Sequence, residues 1–257
     1  MSTAITSPSN ERIKRLVRLR DRKARDSEEV FVVEGDRLLN RALDAGMSPL
    51  EVYAAEDWCG IDGMDVVVVA RTVLDKASYR NRSEGVIAVF KQPTTDLATV
   101  TIGPQPLVLL ADSIEKPGNL GAMLRTADAV GADLFVAIGE RADFFNPNVL
   151  RSSTGALFTV PTARATWAGL NLFLEENSLR LVAATPDAVT PFWNVDMTGP
   201  IALLVGAEDT GIRNEIQEMA DTLISIPMSG RSDSLNTSVS LALVAYEAIR
   251  QRRLSSR

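Results

Sequence analysis

Three stretches bring together residues that could do chemistry, and each begins where a short apolar run ends. The first is DSIEKPGNLGAMLRTADAVGAD (112–133). Pro117 and Gly118 break the run, Asn119 is an N-cap candidate, and a helix follows to Val130 and Gly131. Gly121 and Ala122 are small enough to let another backbone or a ligand come close. Arg125 sits on the first turns. Its planar guanidinium matches phosphate oxygens, and it equally suits an ion pair with a neighbouring helix. The second stretch is LLVGAEDTGIRNEI (203–216). Gly206 ends the run, and Glu208 stands before Gly211 and a helix, so a carboxylate and free backbone groups would lie over a sheet edge. The same pattern also suits a plain turn. The third is ISIPMSGRSDSLNTSVSLALVAYEAIRQR (224–252), where Ser234, Asn236 and Ser238 cluster before a long helix. Small polar side chains and free N–H groups there suit a ligand with amide, carboxylate or hydroxyl groups, although capping the helix would occupy one of them.

Other chemistries are excluded by what the sequence lacks. The 257 residues include no histidine and a single cysteine, Cys59. A histidine triad, a cysteine-cluster metal site and an internal disulfide are therefore impossible, and no metal is expected. One unpaired thiol suits a reducing compartment. No G-x-G-x-x-G or G-x-x-x-x-G-K-[ST] follows a strand-like run, which removes the usual nucleotide fingerprints. The opening MSTAITSPSNERIKR has no apolar signal core, and no apolar run reaches the roughly 18–20 residues of a membrane span. The expected location is the cytoplasm.

The elements that must position these stretches alternate. Short apolar runs at 106–112, 133–139, 180–185, 200–206 and 223–227 read as strands. Helical patterns at 119–130, 167–177, 212–220 and 236 to about 253 lie between or after them. Unalternating runs, each followed by a helix, imply a parallel sheet covered on both faces. Ahead of them EVFVVEG (29–35), DRLLNRALDAG (36–46), VVVVA (66–70), RTVLDKAS and GVIAVFK (85–91) alternate in the manner of a smaller α/β domain. Residues 92–106 are rich in Pro, Thr and Gly and read as a loop-rich connection. The expected division is 1–95 and 107–257, joined by a linker over 96–106.

Charge is uneven. The chain carries −6, but 11–25, ERIKRLVRLRDRKAR, holds eight basic residues against Glu11 and Asp21, a local +6 that leaves −12 for the rest. Ile13, Leu16, Val17 and Leu19 recur at helical spacing, so the stretch reads as one basic helix with a narrow apolar stripe. It is either a solvated surface helix or an element whose Arg12, Lys14, Arg18 and Arg22 contact a phosphate backbone.

In this order the patterns NxGxxxRT, VGxExxGI and IPMxGxxxSLNxSxSxALxxYE closely resemble the three motifs of the SpoU family, the TrmH-type RNA 2′-O-ribose methyltransferases. That resemblance spans about 106–253. FVVEGDRLL and NRSEGVIAVF resemble the family's substrate-binding domain, which is similar to ribosomal protein L30e. The resemblance implies an α/β fold: a C-terminal parallel-sheet domain with a deep trefoil knot, plus a small L30e-like N-terminal domain. It implies S-adenosylmethionine as cofactor, with contacts on Gly206, Ile226 and Leu235. It places catalytic or RNA-handling roles on Asn119, Arg125, Glu208, Ser234 and Asn236. It implies a homodimer with the cofactor site near the subunit interface. Thr237 and Ser240 depart from the Val and Ala of many relatives. The two-domain form resembles the ribosomal RNA branch, housekeeping or antibiotic-resistance, more than the transfer RNA branch. A catalytically inactive RNA-binding module of the same fold is the remaining alternative, and the joint presence of the five polar residues argues against it. Transfer of a methyl group needs no histidine, because a sulfonium cofactor carries the difficult chemistry.

Overall fold

The computed structural model describes residues 4–61 and 63–255. In chain order these form α1 (Glu11–Arg18), α2 (Arg22–Glu28), β1 (Val30–Glu34), α3 (Asp36–Asp44), β2 (Glu51–Ala55), β3 (Val67–Val69), α4 (Arg71–Ala77), β4 (Val86–Lys91), β5 (Leu107–Asp112), α5 (Pro117–Val130), β6 (Leu134–Ile138), α6 (Pro147–Ser152), β7 (Thr162–Ala165), α7 (Trp167–Glu176), β8 (Arg180–Ala184), β9 (Ile201–Val205), α8 (Asn214–Met219), β10 (Thr222–Ile224) and α9 (Thr237–Ser255). Two compact units result. One holds the chain up to Pro93 together with Asp143–Phe158, and the other holds Thr94–Ala142 and everything from Thr159 onward. Residues 1–3 and 256–257, at the outer ends of the two expected domains, lie outside the described residues.

The second unit is built on the expected parallel sheet, in the order β10-β8-β9-β5-β6-β7. Every residue of β5 and β9 is buried, which is why LVLLAD and IALLV show no alternation. β5 continues to β6 on one side, while its other neighbour is β9, a strand far later in the chain. The strand order reverses between β5 and β9, so the loops leaving their carboxyl ends diverge and open a crevice there. α9 packs on both α5 and β9. The connection at 92–106 is not featureless: Asp96 caps a short 3₁₀ turn, Leu97–Thr99, and Leu97 is buried in this unit's core.

The first unit is a mixed sheet, β1-β4-β2-β3, antiparallel except for the β2–β3 pair. One face packs Val30, Val32, Tyr53, Ile87 and Val89 against Ile13, Leu16 and Leu19 of the N-terminal helices and against Val73 and Leu74 of α4. On the other face Phe31 stacks with Phe90 and packs against Phe145 and Phe158, with ring centroids 5.2 and 6.2 Å away. Those two rings come from the segment 143–158, which the sequence reading places in the second domain. Their packing against Phe31 puts it in the first unit, and α6, inside this excursion, and β7, just after it, were not legible as elements.

The basic stretch 11–25 is two helices rather than one. α1 ends at Arg18, and Asp21 caps α2 by accepting from the Lys23 N–H. Arg25 turns back and donates to the carbonyls of Leu19 and Arg20, which satisfies groups freed by the break. It also pairs with Asp143 and is 1% exposed. Removing one partner of a buried ion pair costs about 3–5 kcal/mol, whereas an exposed i,i+4 pair contributes under about 1 kcal/mol. We therefore expect Arg25→Met to lower the unfolding free energy of the first unit by about 3–5 kcal/mol. Lys14→Met, which loses the solvent-exposed pair with Glu11 one turn away, should leave the unfolding free energy nearly unchanged. Urea melts followed by circular dichroism decide; equal small losses would mean that Arg25 is not holding the two helices and Asp143 together.

Candidate active site

The crevice between the ends of β5 and β9 holds two cavities. The larger, about 320 Å³, is walled by residues that follow β8, β9 and β10, among them Thr185, Gly206, Glu208, Ile226, Ser234 and Leu235. The smaller, about 180 Å³, is walled by 113–116 and Asn119 from the end of β5 and the start of α5. Ala207, Glu208, Asp209 and Thr237 belong to both walls.

Backbone crowding shapes this partition. A Cβ on Gly206 would stand 2.3 Å from the Gly211 carbonyl carbon and oxygen, so only glycine fits where the 207–211 loop folds back. The loop is closed by the Gly211 N–H donating to the Ala207 carbonyl at 3.0 Å. Thr237, the first residue of α9, is buried and donates its hydroxyl to the Gly206 carbonyl at 2.7 Å. At the far end of the loop Arg213 donates to the fully buried Asp112 carboxylate at 3.0 and 3.2 Å. Gln217 donates to the Ile212 carbonyl at 2.7 Å. The loop that carries Glu208 is thus tied to β5, α8 and α9.

Glu208 is the hub. Its carboxylate accepts from the Asn119 amide at 2.8 Å, from the Asn236 amide at 2.6 Å and from the Lys116 ammonium. Asn236 also donates to the Asn119 side-chain carbonyl at 3.2 Å. The Lys116 ammonium, and after it the Asn119 amide, hold the Glu208 carboxyl below the usual carboxylate range. The same ion pair raises Lys116. At neutral pH the hub is a carboxylate and its partner an ammonium.

The predicted residues fall into clear places. Gly206, Ile226, Ser234 and Leu235 line the larger cavity, Asn119 lines the smaller, and Glu208 lines both. Asn119 is not the helix cap. α5 starts at Pro117 with Lys116 in the cap position, because proline needs no N–H partner there. That leaves the Asn119 amide free for Glu208. Asn236 does serve α9, its side-chain oxygen accepting from the Ser238 N–H and hydroxyl, while its amide group joins the hub. Arg125 is not gathered in: it is exposed on α5 and lines neither cavity. Arg12, Lys14 and Arg18 stand exposed on α1, and Arg22 is half-buried on α2. Lys116, Asp112, Arg213 and Thr237 were missed. An acid closing a strand otherwise wholly apolar was the available signal for Asp112, and nothing in spacing marks Lys116.

Residues 106–246 match the profile of the SpoU rRNA methylase family, and 10–88 match an MRM3-like substrate-binding domain. The chain belongs to the SpoU family. A 23S rRNA (guanosine-2′-O-)-methyltransferase of Escherichia coli, RlmB, is 33% identical over 88% of this chain and 90% of its own. A crystal structure of an RNA 2′-O ribose methyltransferase superposes with a TM-score of 0.86 at 40% identity, covering 98% of this chain and 100% of the other. The SpoU methyltransferase AviRb of Streptomyces viridochromogenes, solved with AdoMet, superposes at 0.87 with 29% identity, over 96% and 100%. The parallel sheet and its covering helices are therefore the SpoU methyltransferase fold.

The depressed Glu208 sets a pH test. A carboxyl whose folded value is lowered keeps its contacts above its ordinary range and loses them as pH falls through the lowered value. The side-chain amide resonances of Asn119 and Asn236 should therefore shift together with a midpoint below 4.5. In Glu208→Gln they should show no such titration. Midpoints above 4.5, or amides that ignore pH in the parent protein, would remove Glu208 as their common acceptor.

Proposed function

We propose that this chain transfers a methyl group from S-adenosylmethionine to a ribose 2′-hydroxyl of 23S ribosomal RNA. The observation that carries this is the pair of adjoining cavities with Glu208 and Thr237 in their shared wall, built from the three stretches that carry the family motifs. A substrate-binding match at 10–88 and full-length relatives named for 23S rRNA favour the ribosomal over the transfer RNA target.

The larger cavity fits the cofactor. Its volume lies in the range of small-molecule sites. Ile226 and Leu235 offer apolar surface beside Gly206, whose missing side chain keeps the wall thin. Asp187, Glu208, Asp209 and Asp233 in the wall suit a ligand carrying positive charge. When bound, S-adenosylmethionine supplies an electrophilic methyl group on a sulfonium. The chain's own residues then have to hold the ribose oxygen in line and dispose of its proton. Glu208, held as a carboxylate by Lys116 and Asn119, fixes Asn119 and Asn236 along the wall. Ser234 presents a hydroxyl at the larger cavity. Arg125 serves as a guanidinium clamp on RNA phosphate and on negative charge developing at the attacking oxygen, since arginine stays protonated.

The finer architecture follows the same reading. β10 lies at the sheet edge, yet α9, which follows it, packs on α5 and β9 and starts with Thr237 bonded to the Gly206 carbonyl, an inward return of the chain end that supports a trefoil knot. The first unit acts as an L30e-like RNA-binding domain, with Arg12, Lys14, Arg18 and Arg22 on phosphates. Val239, Leu243 and Tyr246 form an exposed apolar stripe along α9 that supports a homodimer. Arg125 lies outside its own chain's cavities, so a second copy or the RNA must bridge it to the reaction. The expected location is the cytoplasm; no helix among the described residues is long and apolar enough to cross a membrane.

Two variants test the assignment. Gly206→Leu forces a side chain into the Gly211 backbone and should abolish S-adenosylmethionine binding by calorimetric titration; unchanged affinity would move the cofactor elsewhere. Arg125→Ala should keep cofactor affinity while the single-turnover methylation rate falls by about 10²–10³, as for one lost oxyanion donor. Arg125→Lys should recover little of it. Near-normal turnover would take Arg125 out of the reaction.

A further inference from the structure

Among the described residues, Lys116 is the one cation in the wall of the smaller cavity, alongside the carboxylates of Glu115, Glu208 and Asp209. Its side chain is 72% exposed, so the ammonium stands at the mouth rather than inside. Nearby cations outside that wall are already engaged: Arg141 pairs with Glu115, and Arg213 is locked onto buried Asp112. Lys116 is held by Glu208, a partner that keeps two amide donors, Asn119 and Asn236, if the lysine leaves.

The cavity itself limits what enters. About 180 Å³ is below the range for whole drug-sized ligands and suits a single sugar ring. Such a ring would face the larger cavity across Ala207, Glu208, Asp209 and Thr237. A sugar within an RNA chain brings phosphates on both sides, and these must stay outside among carboxylates. An RNA phosphate entering that field without a cation would be repelled.

We propose that the smaller cavity receives the acceptor ribose and that Lys116 exchanges Glu208 for the phosphate beside that ribose. The inference rests on the methyl-transfer reading above and adds a substrate-binding residue to it. Glu208 keeps its hold on Asn119 and Asn236 during the exchange, so the shared wall stays in place while the lysine turns outward. No proton moves in this step, because Lys116 is an ammonium before and after it.

The experiment uses the full chain, S-adenosylmethionine and an unmodified bacterial 23S rRNA transcript. Methylation is read as kcat and KM over a range of salt, and cofactor affinity is read separately. Lys116→Gln should raise KM for RNA several-fold and leave cofactor affinity unchanged. The slope of log(1/KM) against log[salt] should become shallower by about 0.7–0.9, the share of one phosphate contact. Lys116→Arg should retain the parent slope. An unchanged slope in Lys116→Gln with an active parent overturns the proposal and leaves the methyltransferase reading standing. A fall in cofactor affinity equal to the loss in rate also overturns it, because Lys116 would then only be bracing Glu208. A parent that methylates no position of the transcript overturns the functional reading and this inference with it.

Discussion

Everything at the active site depends on how closely the backbone folds over itself at Gly206. With the Gly211 carbonyl lying 2.3 Å from where a Cβ would stand, the turn after β9 exists only because that residue has no side chain. The close approach lets Thr237 reach the Gly206 carbonyl, which fixes the start of α9 against the end of β9. It also presents Glu208 to Asn119 and Asn236, residues 89 and 28 positions away in sequence. One missing methyl group thereby brings three distant segments within hydrogen-bond range.

Where burial is uniform, the sequence was a good guide. β5, β6, β8 and β9 are apolar runs of strand length, and the structure turns each into a buried parallel strand. Gly206, Glu208 and Ser234, which line the larger cavity, were legible from the segments that follow such runs: Gly206 comes directly after β9, Glu208 two residues later, and Ser234 in the polar loop between β10 and α9. Failures came where a side chain's partner lies far along the chain. Arg25 looked like one more surface cation, and only the distant Asp143 explains its burial. α6 is six residues long, too short for a helical period to emerge. Lys116 carries no pattern at all, since its meaning lies in a carboxylate 92 positions on.

The charge of the chain is organised by the same distinction. Of the cations in 11–25, Arg25 is buried, Arg15 bridges Glu28 and Glu51, and Arg20 donates to the carbonyls of Lys76 and Ser78. These three fasten helices rather than face solvent, so a local +6 overstates what a polyanion would meet. Around the active site the acids are instead the outward groups, and specific ammonium and guanidinium partners temper them. Local pairing, not net charge, decides where a nucleic acid can approach.

The detour at Asp143–Phe158 has a consequence for how the protein is made. Phe145 and Phe158 cover Phe31 on β1, yet they follow Pro93, the end of the first unit's main segment, by some tens of residues. A ribosome adds roughly 5–20 residues per second, so several seconds pass between synthesis of the sheet and synthesis of its cover. Through that interval the nascent sheet holds Phe31 and Phe90 without their native neighbours, a surface open to a chaperone or to another nascent chain. A cut at residue 93 would make that state permanent, and the remaining fragment would carry two orphaned phenylalanines of its own.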